Sequence, residues 1–545
     1  MKSKITLLTV LLIPVLGISQ NWVWAKKAGG NSYDEGNAIA VDQNGNSYIT
    51  GTFQDTAYFG ATMLVSSGDN DVYVAKLDPS GNFLWAKKGG GQFSDGSKAI
   101  CLDNNGNIYI AGFYNAAAIT FGSITLPAAT WDDIFLVKYD NSGNVLWAVK
   151  AGGSQNDYAY GLVADGAGNV FMTGSFQTTA SFGSNVVSSS GWGDIFVAKY
   201  NGSNGTCTWA VKGGGNGDDN GKAITLGGSD IYITGFFRNT ATFGTLPTVS
   251  SSGNEDVFVA KLDGNGNWSW VRKGGGTQKD NGLAVVADGA GACYATGFYD
   301  GNATFGSANL TGAGVQDMFL VKYDASGNQV YAVTYGGWGN DGGYGIVRDG
   351  IGDLLIAGNF EGTANFGPNN TLQVAGISDF FVLKCNPNNG SVIWAAKAGA
   401  EDEDFCWGIG VDQSFDAYIT GYYRVSCDFA SLNSLTANFF NEIYVAKIQN
   451  PLGILEMENQ IGLNLFPNPA NDLLQVSILS TPGFNPGDKY VFTVMDISGK
   501  QVLQGNFSGT QARISVENLA PGSYTLLIKS QATGFTGTGK FSRIE

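Results

Sequence analysis

DVYVAKLDPSGNFLWAKKGG, residues 71–90, is the stretch that decides the fold, because the chain repeats it seven times. The lysine of its first half returns as Lys76, Lys138, Lys199, Lys261, Lys322, Lys384 and Lys447, at spacings of 62, 61, 62, 61, 62 and 63 residues. Such regularity marks one supersecondary unit in tandem. Working outward, each repeat shows four short runs, lettered A to D in the order of the first complete copy. Run A is residues 38–42 (AIAVD), run B 47–53 (SYITGTF), run C 71–77 and run D 82–88. Each run alternates or is continuously apolar, and Asn, Asp or Gly stands in the turns, where a hairpin needs positive φ.

Gly51, Gly112, Gly174, Gly235, Gly297, Gly358 and Gly421 mark run B, and Trp24, Trp85, Trp147, Trp209, Trp270, Tyr331 and Trp394 mark run D. Run D comes first, at residues 21–27, ahead of any A, B or C, while the seventh copy stops on run C at residues 442–448. Four antiparallel strands per repeat suit a propeller blade, whereas solenoid coils use shorter repeats and need capping ends. The expected fold is all-β: a seven-bladed β-propeller over residues 20–450, closed by residues 21–28 hydrogen-bonding along run C of the last blade. Eighty glycines and only 14% charged residues suit many short strands joined by tight turns.

Residues 1–19, MKSKITLLTVLLIPVLGIS, combine Lys2 and Lys4, an apolar core broken by Pro14, and small residues ahead of Gln20. The pattern predicts a signal peptide cleaved before Gln20. Its apolar run falls short of the ~20 residues that span a bilayer, as does every later segment. An exported chain without an integral membrane segment is expected. With Lys2 and Lys4 gone, the formal charge of −16 becomes −18, which makes nucleic acid and anionic lipid poor partners. The six cysteines occupy different places in different repeats, so no shared disulfide framework exists. Cys406 and Cys427 share a unit and either pair or stay as isolated thiols.

The hairpin pattern A-x-x-x-D-x-x-G-N-x-Y-I-T-G-x-F, as in AICLDNNGNIYIAGF from Ala99, with the later D-x-F-x-A-K and G-N-x-x-W-A, resembles the SBBP β-propeller repeat of secreted bacterial proteins. The resemblance covers residues 21–448 and implies the fold, with no common chemistry. After Asn450 the repeat stops; residues 451–459 read as a linker and 460–545 as a separate small β-sandwich. Phe466-Pro467-Asn468-Pro469, Asp496-Ile497-Ser498-Gly499-Lys500 and Leu519-Ala520-Pro521-Gly522-Ser523-Tyr524 resemble the type A sorting domain of the type IX secretion system, used by Bacteroidota to cross the outer membrane. That resemblance implies recognition of residues 460–545 by the outer-membrane translocon, with Pro467, Asn468, Pro469, Gly499, Lys500, Gly522 and Tyr524 as the motif residues. Release from the cell and attachment to its surface both stay open.

The chain has no histidine, which removes the commonest general base, the usual zinc ligand and every Ser-His or Cys-His nucleophile. Carboxylates recur instead. Asp34, Asp95, Asp157, Asp219, Asp280, Asp341 and Asp404 lie between run D of one copy and run A of the next, a ring at the mouth of a propeller channel. They suit a cation site, a pair acting as acid and base on a sugar bond, or acceptors for their own loop amides. A second series, Asp71, Asp133, Asp194, Asp256, Asp317, Asp379 and Glu442, opens run C and suits pairing with opposite charges. Turns such as DPSGN and DQNGN space oxygens as calcium loops do, but lack the bidentate Glu and length of an EF-hand; no cofactor is expected.

Variation between copies points to binding. After Phe-Gly in six copies, and after Phe429-Ala430 in the seventh, the B-to-C insert changes, and Trp131, Trp192 and Trp338 are aromatics outside the repeat on loops of that face. Flat exposed rings stack on sugars or anchor proteins. The leading expectation is a secreted or surface-displayed, non-catalytic propeller binding a glycan or protein through the B-to-C insert face. The alternatives are a carbohydrate-active hydrolase or lyase using carboxylates at the channel mouth, and a structural surface scaffold.

Overall fold

The computed structural model of the protein describes residues 21–430, 432–437, 440–450, 462–479, 489–496, 500–531 and 536–544. The leader expected at 1–19, the linker expected at 451–459 and Gly499 lie outside the described residues. All regular structure among the described residues is β-strand, and no helix there is long and apolar enough to cross a membrane.

Each repeat folds as a four-stranded antiparallel sheet in the order A, B, C, D. In the first, Glu35–Val41 pairs with Ser47–Phe59, that strand with Thr62–Leu77, and that in turn with Phe83–Gly90. The same ladder recurs in the second to sixth copies. The seventh takes Asp404–Val411, Ala417–Tyr423 and Glu442–Ile448 as its first three strands. Its fourth is Trp22–Gly30, with Trp22 opposite Ile448 and Ala28 opposite Ile443.

Strands B and C outrun the expected runs because they continue beyond the sheet into an outer hairpin. The hairpin leans on the end of the preceding D strand: Tyr58 stands opposite Gly29, Phe121 opposite Gly89, Ser181 opposite Gly152 and Phe243 opposite Gly213. The residues after Phe-Gly, expected as a variable insert, begin with the return strand of this hairpin. The dipeptide is the hairpin tip, its Phe fully buried and, in the first copy, 4.7 Å from the Tyr73 ring. The residues that vary form the return strand and the connection after it.

Apolar faces of successive sheets meet in seven separate cores, each drawing on two neighbouring copies. One of them packs Ile39, Ile49 and Tyr73 of the first copy against Tyr418, Ile443 and Val445 of the seventh, with Trp24 among them. A second device joins neighbours: the indole of strand D donates to a carbonyl in the C-to-D turn of the next copy. Trp147 reaches Gly202 O at 3.1 Å, Trp209 reaches Gly264 O at 3.3 Å and Trp270 reaches Ala325 O at 3.2 Å. Trp24, lying in the seventh sheet, reaches Pro79 O of the first at 3.0 Å. Each A strand touches the A strand of the next copy, and the seventh touches the first.

Beyond residue 461 two further sheets face each other. Gly462–Phe466, Leu473–Leu479 and Gln511–Ser515 form one, and Gln501–Ser508, Lys489–Met495, Gly522–Ser530 and Thr536–Arg543 the other. Leu474, Val476 and Ile514 of the first pack on Val494, Leu526 and Phe541 of the second, so both sheets bury one alternating face in a common core. The motif residues are positioned here. Asn468 donates to Lys540 O and accepts from Ser542 N, both at 3.0 Å, tying its loop to the last strand. The Tyr524 hydroxyl donates to Ala520 O at 2.6 Å.

Candidate functional site

The D-to-A and B-to-C connections emerge together, and the seven aspartates between D and A sit just beneath that face. All seven are buried. Each accepts the amide of the residue four before it, from Gly30 to Asp34 at 2.7 Å through Ala400 to Asp404 at 2.7 Å. The first six also accept an amide at the end of strand B, such as Gln54 to Asp34 at 3.1 Å and Arg238 to Asp219 at 3.0 Å. One carboxyl thus fastens the D-to-A loop to the B strand. Burial pushes Asp34, Asp95, Asp157, Asp219, Asp280 and Asp341 up to about 7, and Asp404 to about 8, against the lowering effect of the amides.

The acids opening strand C lie beside them. A Cβ on Gly152, which has φ +125, would come within 2.2 Å of Asp133 Oδ1 and 2.8 Å of Asp157 Oδ2. Glycine there lets the two carboxyls share a small space. The lysine three residues after the strand D aromatic pairs with the second acid: Lys150 with Asp133 at 2.5 Å, Lys212 with Asp194 at 2.9 Å, Lys27 with Glu442 at 3.1 Å. In the fifth copy Thr334 holds the lysine position, and Asp317 accepts the Ala313 and Gly314 amides at 2.8 and 3.2 Å. The turn aspartates are equally engaged. Asp42 takes the Asn44 and Asn46 amides, both at 2.9 Å, and the Asn46 side chain at 2.8 Å. Among the described residues no group of three or more acidic or sulfur ligands is placed to hold a metal.

Trp131, Trp192 and Trp338 are 54, 80 and 68% exposed. Trp131 precedes strand C of the second copy, and its carbonyl accepts the Ala116 amide at 3.2 Å. Trp192 precedes strand C of the third, donating its amide to Gly217 O at 3.0 Å. Trp338 stands in the D-to-A loop after the fifth, over Gly362, where a Cβ would lie 2.5 Å from the indole. The structure sets the three on different units instead of bringing them into contact. Sequence reasoning missed Tyr33 and Phe93, exposed on D-to-A loops like Trp338. Tyr33 meets exposed Phe440 edge-on, with centroids 5.1 Å apart. The signal was available, since both precede a ring aspartate by one or two residues.

A further series went unread. In every A strand the ladder skips one residue: Asn37, Lys98, Tyr160, Lys222, Leu283, Tyr344 and Trp407. A bulge re-aims its side chain and sharpens the local twist. Bulged residues of adjacent copies meet: Lys222 Nζ lies 3.9 Å from the Tyr160 ring centroid, and the Tyr344 and Trp407 centroids are 4.9 Å apart, edge to face. All seven stand three residues after a ring aspartate, so variation at a fixed repeat position was their signal.

A separate cleft of about 430 Å³ opens between the turns of the fifth and sixth copies and the C-terminal sheets, lined by Tyr294, Lys322, Arg348 and Thr493. Lys529 joins its walls, 3.0 Å from Asp353. The six cysteines are free thiols, five of them buried.

Comparison with known proteins bears on both parts. Residues 464–541 match the family described as secretion system C-terminal sorting domain, and residues 23–52 the family described as beta-propeller repeat. An uncharacterized WD repeat-containing protein, L264, of Acanthamoeba polyphaga mimivirus is 21% identical over 522 residues, covering 77% of this chain and 36% of the relative. The regulatory protein FlaEY of Caulobacter vibrioides is 23% identical over 361 residues, covering 62% and 37%. The chain therefore spans little more than a third of the length of these curated relatives. Among solved structures, quinohemoprotein alcohol dehydrogenase from Comamonas testosteroni aligns with TM-score 0.33 at 10% identity, over 82% of this chain and 80% of that one. PorZ, of the Porphyromonas gingivalis type-IX secretion system, aligns with TM-score 0.27 at 10% identity, over 93% and 74%. The protein carries an SBBP β-propeller repeat at residues 23–52 and a type IX sorting domain at residues 464–541, and it is exported by type IX secretion to the cell surface or the extracellular space.

Proposed function

We propose that the seven units close into one seven-bladed β-propeller over residues 20–450, carried out of the cell by the sorting domain at 460–545. The propeller is a non-catalytic binding module that takes a glycan or protein on the face of the B-to-C connections. Closure is supported by the Trp22–Gly30 strand completing the seventh sheet and by the Trp24 latch repeating what internal tryptophans do. The binding reading rests on one observation: Trp131, Trp192 and Trp338 break the repeat and are 54, 80 and 68% exposed on that face. Tryptophan is among the residues that most often carry the energy of a binding surface. The ring aspartates favour a non-catalytic role, since their oxygens are buried and engaged by backbone amides.

The purified protein is incubated with a polysaccharide and glycoprotein array, reading both retention and released reducing or unsaturated ends. Retention without product, weakened by Trp131→Ala, Trp192→Ala or Trp338→Ala at unchanged Tm, is expected. Released ends would replace this reading with that of a hydrolase or lyase. Silence in both channels would leave a scaffold.

A further inference from the structure

Each B-to-C connection lies beside the D-to-A loop that follows it. Val315 donates its amide to Gly339 O at 3.3 Å, Asn254 to Gln278 O at 3.2 Å, and Asp34 to Asn441 O at 2.9 Å. Where the two meet, the acid opening strand C is buried, and the side chain two residues before it stands in water. That position holds Trp131, Trp192, Val315, Ile377 and Phe440 in five copies. All five are exposed, Val315 and Ile377 at 62 and 57%, so the aliphatic members stand out as far as Trp131. The first copy has Asp69 there, with exposed Phe93 on the adjoining loop. Asn70 ties that pair of loops together, donating to Ser94 at 3.1 Å. The fourth copy has Asn254 and Gln278 instead. Tyr33 extends the series from the last D-to-A loop and touches Phe440, with ring centroids 5.1 Å apart.

A single exposed apolar residue needs no explanation, but six of seven units placing one on the same face do. The side chains themselves narrow the partner. Val315 and Ile377 have no ring to lay on a sugar, whereas mixed aliphatic and aromatic side chains pack on the apolar part of a protein surface. The face is also acidic. Its basic groups are engaged: Arg238 pairs with Glu255, Lys279 lies 3.9 Å from the same carboxylate, and Arg424 lies 2.9 Å from Glu403. The lysines beneath it are held by the strand C acids, as Lys150 by Asp133 and Lys212 by Asp194. On these same connections Asp69, Asp132, Asp218, Glu401 and Asp402 are exposed or half-buried, with no basic group within ion-pair distance among the described residues. Unpaired carboxylates around apolar anchors complement a surface that sets cations around apolar side chains.

We infer that this face docks a protein whose contact surface presents Lys or Arg around apolar residues. Trp192, Ile377 and Phe440 are apolar anchors in three different units, and the acids set the charge of the partner. This rests on the ligand-binding reading above and deepens it, by choosing protein over glycan.

Random twelve-residue peptides displayed on phage are selected on the purified protein, and the enriched sequences are synthesised and titrated calorimetrically. The enriched peptides are expected to be net positive with several large apolar residues, and to bind more weakly as salt rises. Replacing the three anchors together, by Trp192→Ala, Ile377→Ala and Phe440→Ala, should weaken them by about tenfold or more at unchanged Tm, the effect of removing interface anchors. Asp69→Asn with Glu401→Gln should flatten the salt dependence. Leu84→Ala, exposed on strand D beside the C-to-D turn, should change nothing. No enrichment, enrichment of acidic or uncharged polar peptides, or equal affinity for the triple variant overturns the inference. Array retention of a glycan that is lost in Trp131→Ala or Trp192→Ala, with no peptide enriched, leaves the outer-face reading standing and this one refuted. Silence in both array and selection removes both.

Discussion

If the seven units close, the first strand should be worth as much as any internal one. Trp24 and Trp270 make the comparison. Both are at least nine-tenths buried, both sit in a core between two copies, and both donate an indole N–H to a turn carbonyl of the next copy, at 3.0 and 3.2 Å. Trp24 also meets Tyr418 edge-on with centroids 5.8 Å apart. Truncating a buried tryptophan costs about 3–5 kcal/mol, and the lost hydrogen bond adds about 1 kcal/mol. For a cooperative unit of roughly 430 residues, unfolding entropy converts about 4 kcal/mol into a fall in Tm of about 4–5 °C. Trp24→Ala and Trp270→Ala should therefore shift the midpoint alike in calorimetry and in urea titration. A terminal strand that merely rests on its neighbour would fray, and Trp24→Ala would cost under about 1 kcal/mol. That outcome, beside a full loss in Trp270→Ala, refutes closure. Deleting residues 21–28 gives the companion result: an exposed Glu442–Ile448 edge and concentration-dependent association.

The buried aspartate ring makes stability fall as pH rises. Unfolded aspartate titrates near ~3.9, and six ring carboxyls are raised to about 7 by burial. Between those values the native state holds more protons, so unfolding free energy falls by about 1.4 kcal/mol per pH unit for each whole proton retained, and Tm should drop from pH 5 to pH 8. Turn acids such as Asp78 and Asp140, lowered by their Asn82 and Asn144 partners, lose their contribution only below the usual carboxylate range; a Tm flat or rising over pH 5–8 would contradict the burial argument. For export, Asn468→Ala removes the hydrogen bonds to Lys540 and Ser542, so periplasmic accumulation is expected in cell fractionation, and normal secretion would show that this loop is not read by the translocon.

The repeat was legible because every copy solves the same packing problem. Apolar alternation placed the strands, and Asn, Asp and Gly placed the turns, as in Asp42–Asn46 where the aspartate collects its own loop donors. Strand ends were misjudged where B and C continue into the outer hairpin, since Phe-Gly is a tight tip instead of a boundary. That extension depends on the preceding D strand, and period-2 patterning within one run carries no information about a neighbour.

The inner positions were illegible for a related reason. A bulge leaves the apolar alternation on both sides intact, so Ala99 and Ile100 read as strand whether or not Lys98 is skipped. Only comparison of equivalent positions separates the two kinds of residue. The ring aspartates are constant because each fastens the same loop, and constancy across copies is what a structural part requires. A ligand has no seven-fold symmetry, so residues that meet one must break it. By that test Trp131, Trp192 and Trp338 on the outer loops are mutated first, ahead of the carboxylates that accept their own loop amides in every copy.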